Sequence, residues 1–328
     1  WTGDGTTSNA QTGIGFQPDL VWTKGRSDAY DNTWTDAVRG ATKEINADAD
    51  NAESTDSAGV TGFNTNGFQL GTGANGYNDS SESFISWLWK MGNGTVSNSD
   101  GDITSTVSAN PSAGFSIVTY TGGGVTETVG HGLGVAPGFI MTKRLNSGGN
   151  WDVWCQGMSN GNTGVAYLDT NSAEGTRGAS IAPTSTTWQI DGASNNVGGS
   201  GNTYVAYVFA ATDGISAFGT YVGNGNSDGC FVGTGHLPLI LIVKKLSGAN
   251  DWGIYDRSRS GQSQRNTMGR VLRTDTAAAE FNSVSDRGID FYANGFKQRT
   301  SNTTFNASGG TYLYASWAMN PFKFANAL

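Results

Sequence analysis

Trp1-Thr-Gly-Asp-Gly5, Tyr120-Thr-Gly-Gly-Gly124 and Tyr221-Val-Gly-Asn-Gly225 are one phrase written three times. A proline follows each at the same distance, Trp1 to Pro18, Tyr120 to Pro137 and Tyr221 to Pro238. It opens an apolar run closed by lysine: PDLVWTK (18–24), PGFIMTK (137–143) and PLILIVK (238–244). A tryptophan comes next, at Trp34, Trp151 and Trp252, then Ala52-Glu53, Ala173-Glu174 and Ala279-Glu280. Each copy ends on an aromatic stretch, Phe84-ISWLW, Tyr204-VAYVFA and Tyr312-LYASWA. Self-similarity at a period of about 100 residues marks repeated structural units.

Within a copy the apolar runs are short and rich in Val, Ile, Phe, Tyr and Trp, with Gly, Asn, Ser and Thr clusters between them. That is the pattern of strands joined by turns. Asn66-Gly67, Asn224-Gly225 and Asn294-Gly295 supply residues that tolerate the positive φ of tight hairpins. Long helical periodicity is absent. The sequence therefore predicts an all-β protein of three tandem β-sandwich or jelly-roll-like repeats, each of about 100 residues. Their expected bounds are 1–90, 113–212 and 215–328, the last including a C-terminal extension. Residues 91–112, poor in large apolar groups, read as a linker. The junction at 211–216 is shorter, which predicts that repeats two and three pack together more rigidly than one and two.

Repeats two and three carry a strand just ahead of the signature aromatic, and the first copy begins at that aromatic. An incomplete sandwich exposes unpaired backbone and an apolar groove. Upstream chain, or a strand from a neighbouring subunit, is expected to complete it. The C-terminal segment, with Phe322 and Phe324, is a candidate donor.

Composition narrows function. Glycine is 49 of 328 residues and charged residues are only 14%, so the surface is polar but mostly uncharged. Aromatics at 11% supply the bulk for a core. The net charge of −8 opposes a nucleic-acid backbone or an anionic membrane surface, and no apolar run reaches the length of a membrane span. Cys155 and Cys230 are read as free, buried thiols.

Catalytic signatures are missing: there is no Gly-x-Ser-x-Gly elbow, His-Glu-x-x-His or Cys-x-x-Cys. His131 and His236 occupy non-equivalent places before the repeat proline and read as structural. Gly71-x-Gly73-x-x-Gly76 matches a dinucleotide fingerprint literally, but no helix follows to face a pyrophosphate. No enzyme and no resident cofactor are expected. Asp48, Asp50 and Glu53 offer oxygen ligands that calcium could use, against a bland reading as a solvated acidic turn. Trp34, Trp151 and Trp252 could stack on sugar rings if exposed, against a reading as core anchors. Lys24, Lys143 and Lys244 are expected to shield strand ends that face solvent.

The stretch Asp102-ITSTVSANPSAGFSIVTYTGGG, then Val129-GHGLGVAPGFIMTK and Asn150-WDVW, resembles a repeat of structural proteins from marine tailed bacteriophages. The closing Tyr312-LYASWAMNPFKFANAL is similar to the C-terminal ends of those proteins. The third copy departs at Cys230-Phe-Val-Gly-Thr-Gly-His-Leu, where its turn is expected to differ. The resemblance implies a non-enzymatic virion or extracellular component, such as a tail fibre, spike or capsid appendage. It would assemble with copies of itself, as a trimer or filament, and with other virion proteins. A carbohydrate-binding adhesin that recognises host-surface glycan, or a cell-surface filament subunit, is the alternative.

Overall fold

The computed structural model describes residues 1–72, 76–92, 94–259 and 266–319. Nearly all regular structure is antiparallel β. The first segment builds β1 (Asn9–Thr12), β2 (Leu20–Gly25), β3 (Thr33–Asp36), β4 (Lys43–Asn46), β5 (Ser54–Thr55), β6 (Val60–Asn64), β7 (Gly67–Leu70) and β8 (Phe84–Trp89). Then come β9 (Val96–Asn98) and β10 (Ser105–Asn110). The second segment has β11 (Phe115–Thr121), β12 (Glu127–Gly130), β13 (Phe139–Arg144), β14 (Asp152–Cys155), β15 (Gly164–Tyr167), β16 (Gly175–Thr176), β17 (Thr187–Ile190) and β18 (Thr203–Phe209). The third has β19 (Ser216–Val222), β20 (Phe231–Gly233), β21 (Pro238–Lys245), β22 (Gly253–Asp256), β23 (Arg270–Val271), β24 (Phe281–Asn282), β25 (Ile289–Tyr292), β26 (Gly295–Gln298) and β27 (Thr311–Ala318). Among the described residues a 3-10 turn (Gly161–Thr163) and two single-turn helices, α1 (Val284–Arg287) and α2 (Thr303–Asn306), complete the regular structure.

One strand order occurs in all three inner sheets. The closing strand pairs with the proline-led strand, which pairs with the next: β8-β2-β3, β18-β13-β14 and β27-β21-β22. Smaller sheets, β1-β7-β6, β12-β17 and β20-β26-β25, accompany them. In the first segment Val21 turns outward to meet Val60, Phe68 and Leu70, while Leu20 and Trp22 turn to the other face. In the third, Leu241 and Val243 face Phe291 and Phe296, while Ile240 and Ile242 face away. The proline-led strands are thus buried on both faces, which is why they read as unbroken apolar runs.

The second face of each inner sheet meets the other two. Leu20, Phe139 and Ile240 belong to one apolar cluster drawn from all three segments. At its centre Trp89, Phe209 and Trp317, the last aromatics of the closing strands, form a triangle. Their ring centroids lie 5.5 Å (Trp89–Trp317), 5.3 Å (Phe209–Trp317) and 6.4 Å (Trp89–Phe209) apart. The segments therefore share a core.

The signature phrase has a physical reading in each copy. Trp1, Tyr120 and Tyr221 stack on Phe84, Tyr204 and Tyr312 with interplanar angles of 24°, 22° and 13°. A Cβ on Gly3, Gly122 or Gly223 would sit 2.1, 2.6 or 2.4 Å from backbone atoms of Asp79, Gly198 or Ala307, so only glycine fits. Gly5, Gly124 and Gly225 take φ of +67°, +83° and +68°.

Two expectations change. Residues 91–112 are not a free connector: β10 pairs with β11 along its length and β9 adds the sheet's edge, giving an eight-stranded sheet. The cause is β-compatible Ser-Thr-Val-Ser-Ala, whose Val107 is buried in the shared core. Cys155 is buried but Cys230 only partly so; both are free. Phe322 and Phe324 lie outside the described residues.

Candidate functional site

The chemistry-bearing side chains converge on the seams between segments. Lys24, Lys143 and Lys244 sit at the ends of the proline-led strands, yet each is fully buried. Lys24 Nζ donates to the Tyr30 carbonyl of its own segment and, at 2.6 Å, to that of Ala277 in the third. Lys143 Nζ donates to Gly149 and to Ala49 of the first segment, at 2.6 and 3.3 Å. Lys244 Nζ donates to its neighbour Lys245 and to Asn171 of the second, at 2.8 and 3.2 Å. The expectation of solvent-facing charge is therefore corrected: the adjacent segment caps each strand end, and the ammonium binds carbonyls on both sides of the seam.

Backbone bonds repeat the same cycle. The Glu53 amide donates to Leu145 O, Glu174 to Leu246 O and Glu280 to Arg26 O, each at 2.8 Å. First meets second, second meets third, and third returns to first. The indoles join in. Trp151 Nε1 donates to Asn46 O of the first segment, and Trp252 Nε1 to Tyr167 O and Thr170 O of the second. Trp34 does not share that position. It pairs opposite Trp22, level with Val153 opposite Met141 and Ile254 opposite Ile242. Asn32, two residues earlier, occupies the seam place and donates to Arg273 O and Thr276 O. Trp34, Trp151 and Trp252 are each 0% exposed, so none offers a ring face to a sugar.

A second station lies deeper. Asp36 pairs with Arg39 at 2.5 Å, and Arg39 also donates to Trp34 O and Glu53. Tyr207, from the second segment's closing strand, donates its hydroxyl to Asp36 at 2.7 Å. Asp256 and Arg259 repeat the set: Arg259 donates to Ile254 O and Glu280, and Trp87 Nε1 of the first segment donates to Asp256 at 3.2 Å. At the seam between second and third segments the places are held by Cys155, Met158 and, on the closing strand, Ala315. The Cys155 amide donates to Met158 Sδ, and Glu174, having no arginine, accepts from the Ser159 and Asn160 amides. At this station two seams are ionic and the third is apolar. Sequence reading missed these sets, although Asp36-x-x-Arg39 and Asp256-x-x-Arg259 stand at one spacing, with Cys155-x-x-Met158 between them.

Burial sets the electrostatics. It pushes Lys24, Lys143 and Lys244 down to about 8, Asp169 up to about 6 and Asp275 up to about 7. Asp48, Asp169 and Asp275 play one part, accepting from the amides of Asn32, Trp151 and Trp252. The raised aspartates bind extra protons in the folded state above their unfolded pKa near 4, so their stabilisation is lost as pH rises through 6 and 7. The lowered lysines give stabilisation that is full above their unfolded value near 10.4 and lost as pH falls through 8. The urea midpoint is therefore expected to pass through a minimum between pH 7 and 8. Asp275→Asn should flatten the acid limb, where each unit of pKa separation is worth about 1.4 kcal/mol.

The remaining candidates are dispersed. Asp48 is engaged with Asn32, Glu53 with Arg39 and Lys43, and the Asp50 carbonyl accepts from the Gly149 amide. These three are not gathered for calcium, and among the described residues no group of three or more His, Cys, Asp or Glu is placed to hold a metal ion. His131 and His236 are buried, the latter pushed down to about 4 by burial, and bond to Thr184 O and Ser316 Oγ. The Gly71–Gly76 stretch is interrupted by undescribed residues. Among the described residues no helix is long and apolar enough to cross a membrane.

Among the described residues the closing strand of the first segment differs from the other two in its neighbours. β18 lies between β13 and β11, and β27 between β21 and β19, whereas β8, among the described residues, ends its sheet beside β2. The closing strand in the first segment is accordingly less buried than the other two.

Compared with known proteins, neither curated sequences nor solved structures give a match. Compared with known families, residues 1–321 match a family described as a domain of unknown function, DUF7483. That match spans all three segments and their seams, and the chain belongs to the DUF7483 family.

Proposed function

We propose that the chain is a non-enzymatic structural component of a virion, of the tail-fibre, spike or capsid-appendage kind, joined to other particle proteins and presented toward the host surface. The observation that carries this reading is the cyclic seam. The buried lysines and the Asp–Arg pairs are engaged in holding three β units around one core. Such a body is suited to bearing load rather than to turning over a substrate. Its sparse charge fits an exposed appendage, and the likeness of residues 102–154 and 312–328 to marine phage structural proteins directs the proposal to a particle.

The test is co-purification. Particles from a lysate in which the protein is made are banded by density, and the bands are probed with antibody against residues 1–328. The protein is expected to travel with intact particles, with antibody marking one fixed place on them by electron microscopy. Recovery of all of it in the particle-free fraction would overturn the reading.

A further inference from the structure

The small sheet of the third segment has two faces of different character. Gly295 of β26 pairs with Gly233 and Tyr292, and Lys297 pairs with Phe231 and Asp290. Between these rows Val232, Phe296 and Phe291 turn to the apolar cluster of the segment. Paired residues share a face and successive residues alternate, so Phe231, Lys297, Asp290 and Tyr292 stand on the outer face.

That face carries two rings the other copies lack. In the first segment Gly67 pairs with Thr12 and Asn64, and Gln69 with Ala10, in the same register. In the second, Gln189 pairs with Thr128. The place of Phe231 is thus held by Ala10 and Thr128, and that of Tyr292 by Asn64. Neither ring is a requirement of the fold. Yet Phe231 is 49% exposed and Tyr292 38%, with ring centroids 5.9 Å apart and planes at 67°. A Cβ on Gly295 would meet Phe231 Cζ at 2.8 Å, so the Phe231 ring reaches over a strand position without a side chain. The two rings meet as floor and wall of a corner.

Polar groups adjoin it. Lys297 Nζ donates to Asp228 Oδ1 at 2.6 Å and Arg299 Nη1 to the same oxygen at 2.7 Å, while the Asp228 side chain is 72% exposed. Asp290 Oδ2 accepts from the Tyr292 hydroxyl at 3.2 Å and from Arg299 Nε at 3.3 Å. Two anions are matched by two cations, so the corner offers donors and acceptors without net charge.

We propose that this corner binds a neutral hexopyranose, with the C–H face of the sugar on the Phe231 and Tyr292 rings and its hydroxyls bonded to Asp228, Lys297 and Arg299. The negative face of an aromatic ring attracts the polarised C–H bonds of a sugar, and the few polar groups beside it fix orientation. Size favours a sugar over a protein. Three short strands about 4.8 Å apart give a face about 10 Å across, room for one or two sugar rings. A stable protein interface takes about 800 Å² from each partner. The site is distinct from Trp34, Trp151 and Trp252, which burial closes to any ligand. The inference goes beyond the virion reading, since it holds whether or not the chain travels with a particle.

The test is NMR of the chain of residues 1–328 with methyl β-D-galactopyranoside and methyl β-D-glucopyranoside. At least one is expected to shift the ring resonances of Phe231 and Tyr292, with a Kd of about 1–10 mM. The double variant Phe231→Thr, Tyr292→Asn takes residue types that Thr128 and Asn64 already hold at the matching places. It is expected to keep the urea midpoint and to weaken binding about tenfold or more. Asp228→Asn, at an exposed position, is expected to weaken it about threefold or more by removing a charged acceptor. Unmoved ring resonances with both glycosides at about 50 mM would overturn the proposal. Binding undiminished in the double variant would overturn the site, and tighter binding of methyl β-D-glucuronide would overturn the neutral class.

Discussion

Arg39→Met is expected to destabilise the protein by about 3–5 kcal/mol, because it leaves the buried Asp36 carboxylate without its counter-charge. Asp36 and Arg39 are both nearly inaccessible, and Tyr207 reaches them from across the seam. The third seam shows what makes such a station tolerable without ions: Cys155 and Met158 fill it with soft apolar groups, and Ala315 presents no hydroxyl. The triple variant Asp36→Cys, Arg39→Met, Tyr207→Phe copies that logic and is expected to recover most of the loss. Replacing a whole buried ion pair by apolar groups is often close to neutral, whereas removing one partner is not. Urea denaturation of the two variants checks both. A triple variant as unstable as the single one would mean that the ionic seams hold the fold in a way the apolar seam does not reproduce.

The second large effect is expected at the aromatic triangle. Trp317→Ala should cost about 3–5 kcal/mol, as for other large-to-small changes in a packed core. Trp317 contacts Trp89 of the first segment and Phe209 of the second, besides Phe139 and Phe218. The loss is therefore expected in all three segments at once. Amide exchange should accelerate in β8 and β18 as well as in β27. Acceleration confined to β27 would contradict a core shared by all three segments.

Much of this was legible in the amino-acid string. The spacing from signature aromatic to proline is met by strand orders that recur, and the glycines of the phrase are explained by close approach and positive φ. The outer neighbours of β18 and β27 are the strands read ahead of Tyr120 and Tyr221. What escaped was what happens where segments touch. A lysine closing an apolar run reads as solvent-facing because sequence shows only its own strand, whereas the caps on Lys24, Lys143 and Lys244 come from other segments. Trp34 matched Trp151 and Trp252 by order along the chain, but strand register places it level with Val153, and Asn32 takes the seam role. The Ser-Thr-rich stretch before Pro111 read as a connector, since nothing local shows that β11 has an edge for it to cover.

The return of the third segment to the first has a consequence for synthesis. The bond from the Glu280 amide to Arg26 O joins residues 254 apart, so this seam can form only after most of the chain has left the ribosome. Until then the first segment displays Trp22, Trp87 and Trp89 on a face with one or both of its two partner segments absent or unfolded. Contacts this distant in sequence are slow to form, and exposed aromatic faces invite aggregation in the interval. A ring closed within one polypeptide thus has a vulnerable period set by translation time, and a cell making it in quantity needs either fast elongation or a chaperone that shields the waiting first segment.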